Sequence, residues 1–337
     1  MSRPTMEDVK NLAGVSISTV SRVINGTKKV SPEKTLAVER AIEQLGYKPN
    51  EVARSLVMKK SNTIGIILDD IGIEYMAQIV RGIDEVGKMY KYDILLYSTF
   101  GDLEVQRNAV EFLSSKQVEG IIIISEGINS EIVYKIKENQ IPYIQLDPYF
   151  NSNEITTVGI DYNKAMSEMT EKFIENGHKK ILYVRERSKS DSSFLMQTGY
   201  EEVMDAHGLD REVVTVRNSD VDSAYEFMEK HMDYIHERGI TGIITSNDKL
   251  AIGAINYCYD NGLIVPDDLS VSGFGNYEIS NLYRPRLTTI RLPYYDIGAI
   301  SIRVLIKHLT EDEEFDKSIN LNYEIVERES TTTNLSK

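Results

Sequence analysis

The first fifty residues carry apolar positions at helical spacing in three short runs. Thr5-Met6-Glu7-Asp8 reads as a helix start, with Thr5 as N-cap and an acid three residues on. Val9, Leu12 and Ala13 give that helix one apolar stripe, and Gly14 stops it. Ser16 caps a second helix whose Val20, Val23 and Ile24 face inward and whose end is marked by Gly26. Ser31-Pro32 opens a third helix, with Val38, Ile42 and Leu45 as its stripe and Gly46 as its stop. Two short helices separated by a tight turn at Gly14-Val15, then a packing helix, make the pattern of a helix-turn-helix.

From Ser61 the pattern changes. Strand-like runs at Thr63–Leu68, Asp93–Tyr97, Gly120–Ser125 and Tyr143–Leu146 are followed by a second series at Lys180–Val184, Val213–Val216, Gly242–Thr245 and Ser270–Phe274. Between them lie amphipathic stretches such as Met76–Met89, Glu104–Lys116, Lys164–Asn176 and Ala251–Asn261. Such alternation predicts an α/β core of parallel sheets covered by helices on both faces. Two series predict two lobes, with a ligand cleft at the C-terminal ends of their strands.

The net charge of −14 argues against a polyanionic partner until its distribution is read. Residues 1–60 hold eleven lysines and arginines against six acids; the remainder holds twenty-seven against forty-six. A basic module on an acidic body confines nucleic-acid contact to the N-terminus. The helical periodicity there argues against an unstructured basic arm. One cysteine, Cys258, leaves no internal disulfide and fits a reducing cytoplasm. Met1–Lys10 is polar, which predicts no secretory leader, and no apolar run approaches the roughly 18 residues of a membrane span.

Enzyme chemistry finds no foothold. The chain lacks G-x-x-x-x-G-K-[ST], H-E-x-x-H and G-x-S-x-G motifs. His178, His207, His231, His236 and His308 show no ligand-like spacing, and a single cysteine cannot build a thiolate site, so neither metal nor cofactor is expected. A transport binding protein of the same core architecture would need export.

In a helix-turn-helix the second helix enters the major groove, and its first residues meet base edges. Here these are Ile17, Ser18, Thr19 and Arg22. Arg22 can pair bidentately with guanine, Ser18 and Thr19 are short hydrogen-bonding groups, and Ile17 can touch a thymine methyl. Ser21, Asn25, Thr27, Lys28 and Tyr47 are better placed for phosphates. Thr5 and Ser16 join this DNA-facing set; the plainer reading of Ser16–Thr19 is helix capping alone.

The string G-V-S-I-S-T-V-S-R-V-I-N at residues 14–25, followed by L-G-Y-K-P-N-E-V-A-R-S-L at residues 45–56, resembles the headpiece of the lactose-repressor/galactose-repressor family. The resemblance runs along essentially the whole chain. It implies a headpiece over 1–48 and a hinge over 49–60. It also implies a first lobe over 61–161 and 291–322 and a second over 162–290 and 323–337, in the fold of periplasmic sugar-binding proteins. In that family the hinge turns helical on a pseudo-palindromic operator and two hinges of a homodimer meet in the minor groove. Asn50 can cap such a helix, with Ala53 on its apolar face and Leu56 as the wedge between base steps; the plainer reading of Leu56 is hinge packing. Glu7 and Lys10 depart from the family's tyrosine and alanine, and Glu7 would repel the phosphate that the tyrosine contacts. The polar tail after Ser330 carries no heptad repeat, which points away from a tetramer.

Sugar- and purine-binding members carry an aspartate at the position of Gly275 and an arginine at that of Met196. Both grip ligands through charge-assisted bonds, so their absence weakens the case for a sugar or nucleoside effector in the cleft. Asn247 and Asp248 remain as candidate cleft groups, their plainer role being helix capping. In Tyr294–Leu309, Ile297, Ile300 and Val304 can face the core while Tyr295, Ala299, Arg303 and Lys307 share a stripe. By pattern that stripe is a solvated face. The stretch also resembles the catabolite-control members of the family, whose corepressor is serine-phosphorylated HPr, a phosphocarrier of sugar transport. The resemblance implies that Arg303 and Lys307 face the phosphoserine, with Tyr295, Asp296, Ala299, Asp84 and headpiece Ile17 at the same interface.

Overall fold

The computed structural model describes residues 4–26, 28–48, 61–125, 129–146, 156–187, 191–310 and 318–332. The expected contacts at Thr27, Asn50, Ala53 and Leu56 lie outside these residues. The chain divides into two compact units, an N-terminal one ending at Thr63 that also takes in Gln117–Glu119, and a second holding the rest.

The N-terminal unit contains helices α1 (Met6–Ala13), α2 (Ile17–Asn25) and α3 (Pro32–Leu45). A full capping box starts α1: the Thr5 N–H donates to the Asp8 carboxylate at 2.8 Å, while the Asp8 N–H donates back to the Thr5 hydroxyl at 3.3 Å. Gly14 ends α1 at φ 65°, the left-handed geometry that sets the turn into α2. Ser31 occupies the N-cap of α3, but its side chain makes no capping bond. Val9, Val20, Val38, Ala41 and Tyr47 form the core of this unit, with Val23, Ile24, Ile42 and Leu45 packed around it. Leu12, expected on the inner stripe of α1, is instead half exposed.

The second unit has two six-stranded sheets. The first runs in the order β11-β5-β4-β3-β1-β2, from strands β1 (Thr63–Leu68), β2 (Asp93–Ser98), β3 (Gly120–Ile124), β4 (Tyr143–Leu146), β5 (Thr157–Gly159) and β11 (Ser318–Asn320). The second runs β12-β10-β9-β8-β6-β7, from β6 (Ile181–Glu186), β7 (Glu212–Val216), β8 (Gly242–Thr245), β9 (Ser270–Gly275), β10 (Thr288–Arg291) and β12 (Glu324–Val326). The β1–β3, β3–β4, β4–β5 and β5–β11 ladders are parallel, and so are those from β7 through β10. Only the β10–β12 pairing runs antiparallel among the described ladders. Strand β3 reads Gly-Ile-Ile-Ile-Ile and is buried throughout, as a parallel strand covered on both faces must be.

The chain passes between the sheets three times: from β5 into the helix Tyr162–Glu175, from β10 to the helix Tyr294–Thr310, and between β11 and β12. Helix Glu74–Met89 (α4) lies directly against Tyr294–Thr310 (α12, after seven further helices at 103–115, 130–138, 162–175, 191–206, 221–237, 248–260 and 278–282). A Cβ on Gly82 would stand 2.1 Å from the Tyr295 carbonyl oxygen, and one on Gly298 would stand 2.0 Å from that of Ile79. The close pairs Ile79–Gly298, Gly82–Ala299 and Gly87–Ile302 advance together, so α4 and α12 run in the same direction.

Candidate DNA-reading face and regulatory surfaces

The exposed side of α2 carries the residues expected to read DNA. Ser16 caps it: its hydroxyl accepts the Thr19 N–H at 3.2 Å and lies 2.9 and 2.8 Å from the Ser18 and Thr19 hydroxyls. Val20 points into the core, which turns Ile17, Ser18 and Arg22 outward. Ile17 is 47% exposed, an apolar side chain held away from the core of its own unit. Arg22 and Lys28 are exposed and form no ion pair among the described residues. One turn on, the Asn25 amide donates to the Ser21 hydroxyl at 3.2 Å. Tyr47, expected at a phosphate, has its ring in the headpiece core, and burial pushes its phenol up, which keeps it neutral and able to donate. Glu7 is ion-paired with Lys10 along α1, which offsets the charge expected to repel phosphate.

The α4–α12 pair gathers residues more than two hundred positions apart. The Tyr295 hydroxyl donates to Glu85 at 2.8 Å, and Glu85 also accepts from Arg81 at 2.8 Å. These two bonds hold the Glu85 carboxyl below its ordinary range, the bond from Arg81 first. Asp84 pairs with Lys88 at 2.5 Å. On α12, Asp296, Arg303 and Lys307 are exposed, and neither Arg303 nor Lys307 forms an ion pair among the described residues. Ala299 departs from the expected stripe. It is only 6% exposed because its backbone sits against Gly82, so it sets the helix spacing. The core side of α12 is Ile297, Ile302, Leu305 and Ile306, while Ile300 and Val304 are half-buried at its margin.

Between the sheets lies a cleft of about 270 Å³. Asp69, Glu74 and Tyr75 line it from one side and Glu186, Ser246 and Asn247 from the other. Asn247 also caps its helix, its side-chain oxygen accepting the Leu250 N–H at 3.0 Å. Asp248, expected beside it as a cleft group, is instead fully buried. It accepts the Thr289 hydroxyl at 2.5 Å and the Tyr277 N–H at 2.6 Å, and burial pushes its carboxyl up to about 7. It therefore anchors the loop after β9. Gly275 has φ 120°, and the Tyr277 ring lies 2.8 Å from where its Cβ would stand, so an aspartate there would require that ring to move. Met196 lines the cleft, leaving apolar surface where an arginine would bring charge.

Residues 5–50 match the family described as bacterial regulatory proteins, lacI family, and residues 170–331 match a periplasmic binding protein-like domain. Catabolite control protein A of Priestia megaterium is 34% identical over 330 residues, covering 97% of this chain and 99% of that protein. The transcriptional regulator RegA of Clostridium saccharobutylicum is also 34% identical over 330 residues, with the same shares covered. The chain belongs to the lacI family. This lacI-family protein is thus a DNA-binding transcription regulator similar to catabolite control protein A. Among solved structures, the lac repressor dimer bound to operator and an anti-inducer superposes with a TM-score of 0.87 at 25% identity, covering 98% of this chain and all of that one (100%). CcpA of Lactococcus lactis gives 0.72 at 30% identity, over 80% and 99% of the two chains.

Several parts of this lacI-family regulator were not legible in its sequence. Tyr75 stacks on Tyr294 at 5.3 Å and faces Tyr277 at 6.4 Å, so one aromatic column bridges the two sides of the cleft. Glu85 was missed as the link between α4 and α12. Neither has a local signal, since each contact joins residues some two hundred positions apart. Among the described residues, no helix is long and apolar enough to cross a membrane, and no acid, histidine and cysteine group is placed to hold a metal. Cys258 is buried, and burial pushes its thiol up to about 12.

Proposed function

We propose that this regulator binds a pseudo-palindromic operator as a homodimer and that serine-phosphorylated HPr is its corepressor, docked on the α4–α12 surface. The observation that carries the corepressor reading is the exposed Arg303 and Lys307 pair, one helical turn apart on α12 and without ion-pair partners among the described residues. Two cations at that spacing can clamp a dianionic phosphoserine. Tyr295, fixed by Glu85, supplies an aromatic anchor beside them, with Asp84 and Asp296 on the same helix pair.

On the DNA side, Ile17, Ser18, Thr19 and Arg22 meet bases, while Thr5, Ser16, Ser21, Asn25, Thr27, Lys28 and Tyr47 position the headpiece on phosphates. The hinge over 49–60 then brings Asn50, Ala53 and Leu56 to the minor groove. The corepressor acts by binding the DNA-competent arrangement more tightly than the other, which is the differential affinity any such coupling requires.

The test is operator binding by fluorescence anisotropy at fixed salt, because salt alone moves such affinities by orders of magnitude. A catabolite-response site is titrated alone, with HPr, with serine-phosphorylated HPr and with a sugar panel. Tightening by the phosphorylated protein alone, lost in Arg303→Ala, is the expected result. Tightening or release by a sugar alone refutes the corepressor reading and moves the signal to the cleft.

A further inference from the structure

The cleft lining has an electrostatic character that a sugar phosphate or nucleotide would not match. Three carboxylates reach it, Asp69 and Glu74 from one side and Glu186 from the other, against Lys249 as the one basic residue among the described lining residues. Ser125 donates to Asp69 at 2.8 Å, the Glu278 N–H donates to Glu74 at 2.8 Å, and the Ser246 hydroxyl donates to Glu186. No lysine or arginine forms an ion pair with Glu74, which is exposed, or with Glu186, which is half-buried, among the described residues. The rest of the wall is aromatic: Tyr75, Tyr162, Phe274, Tyr277 and Tyr294. Tyr162 stacks on Phe274 at 6.0 Å, and Tyr75 on Tyr294 at 5.3 Å. Ring faces attract cations, most strongly where water is excluded. Met196 stands where a guanidinium would otherwise occupy this space.

We propose that the interlobe cleft takes a small organic cation, a ligand with a protonated amino or guanidino group on a carbon body. The cationic head sits among Asp69, Glu74 and Glu186, and the body lies along the tyrosine and phenylalanine rings. This site lies at the N-terminal ends of α4 and α12, whereas Arg303 and Lys307, the cations of the proposed docking surface, lie more than about two turns further along α12. Its test contains neither DNA nor HPr, so its failure and that of the corepressor reading are distinguishable.

The experiment is isothermal titration calorimetry on the full chain at about 150 mM salt, where screening over roughly 8 Å suppresses diffuse attraction. The probes are agmatine, spermidine and tetramethylammonium, with glucose and glucose 6-phosphate as comparators. Saturable binding of at least one cation, one per chain, is expected, with no binding of glucose 6-phosphate. Glu186→Gln should weaken it at least tenfold. Met196→Arg should abolish it by placing a guanidinium beside the same acids. Tyr75→Leu, which keeps apolar volume but removes the ring, should weaken it severalfold and stands in should either other variant fail a circular-dichroism check of folding. Absence of saturable cation binding overturns the proposal. So does binding that the folded variants leave unchanged, because a chain of net charge −14 attracts amines diffusely. Saturation by glucose without any cation would make the cleft a polyol site and equally overturn it.

Discussion

Substituting Gly82 by alanine tests whether the α4–α12 crossing builds the proposed docking surface. The added Cβ would stand 2.1 Å from the Tyr295 carbonyl oxygen and 2.9 Å from the Ala299 nitrogen. An ordinary contact needs roughly 3.5 Å, so the helices must part by about 1.4 Å. Both opposing atoms are backbone, so no side-chain rotation relieves the clash. Overpacking of this kind costs about 1–3 kcal/mol or more. Alanine's better helix propensity returns about 1 kcal/mol. Taking the upper end of the overpacking cost, because both opposing atoms are backbone, the expected net loss is about 2 kcal/mol, or a melting point lower by several degrees, given roughly 2–4 °C per kcal/mol for a chain of this size. The assay is urea and thermal unfolding of Gly82→Ala beside Gly159→Ala, whose Cβ would meet nothing within 4 Å. Gly82→Ala should also blunt the response to phosphorylated HPr, because Tyr295 shifts with its helix. Unfolding midpoints of Gly82→Ala that match those of the parent and the control would refute the close-crossing argument.

Other consequences follow from the same geometry. Thr5→Ala removes the capping box of α1 and should destabilise the headpiece by about 1 kcal/mol, read as a lower headpiece melting temperature. The Thr5 bonds hold the Asp8 carboxyl below its ordinary value, so their contribution is present above the unfolded pKa and is lost as pH falls through the lowered one, a dependence that Thr5→Ala should weaken but not remove, because the backbone N–H of residue 5 still donates to Asp8. Asp248 shows the opposite sign. Its folded pKa is pushed up to about 7 from 3.8, so stability present below the unfolded value is lost as pH rises through about 7. Three pKa units amount to about 4 kcal/mol at most. Urea unfolding at pH 5 and pH 8 should therefore show a steeper decline in the parent than in Asp248→Asn, and parallel profiles would contradict the buried anchor. Arg22→Ala should cost about 1–3 kcal/mol at one base position of the operator, whereas Lys28→Ala should weaken all sequences alike and reduce the salt slope by about one, both read by anisotropy.

Local chemistry alone determined the elements. Caps and stops at Thr5, Gly14, Ser16, Gly26 and Pro32 bounded the headpiece helices because such signals act over three or four residues. Apolar runs such as Thr63–Leu68 and Gly242–Thr245 announced buried strands for the same reason. Periodicity was less secure at the margins. Leu12 fits a helical stripe yet is half exposed, since a small three-helix unit has too little core to cover every apolar position. Tertiary structure decided which residues meet. Ala299 belongs to a plausible exposed stripe, but the approach of Gly82 buries it. Asp248 reads as a helix-capping or cleft acid, but Thr289 and the Tyr277 N–H draw it inward. Tyr75 reaches Tyr277 and Tyr294, and Glu85 reaches Tyr295, only because the chain returns to its first sheet after completing most of the second. A spacing of three or four residues encodes a helix face; a contact across two hundred residues exists only once both sheets are formed and the returning helix has packed.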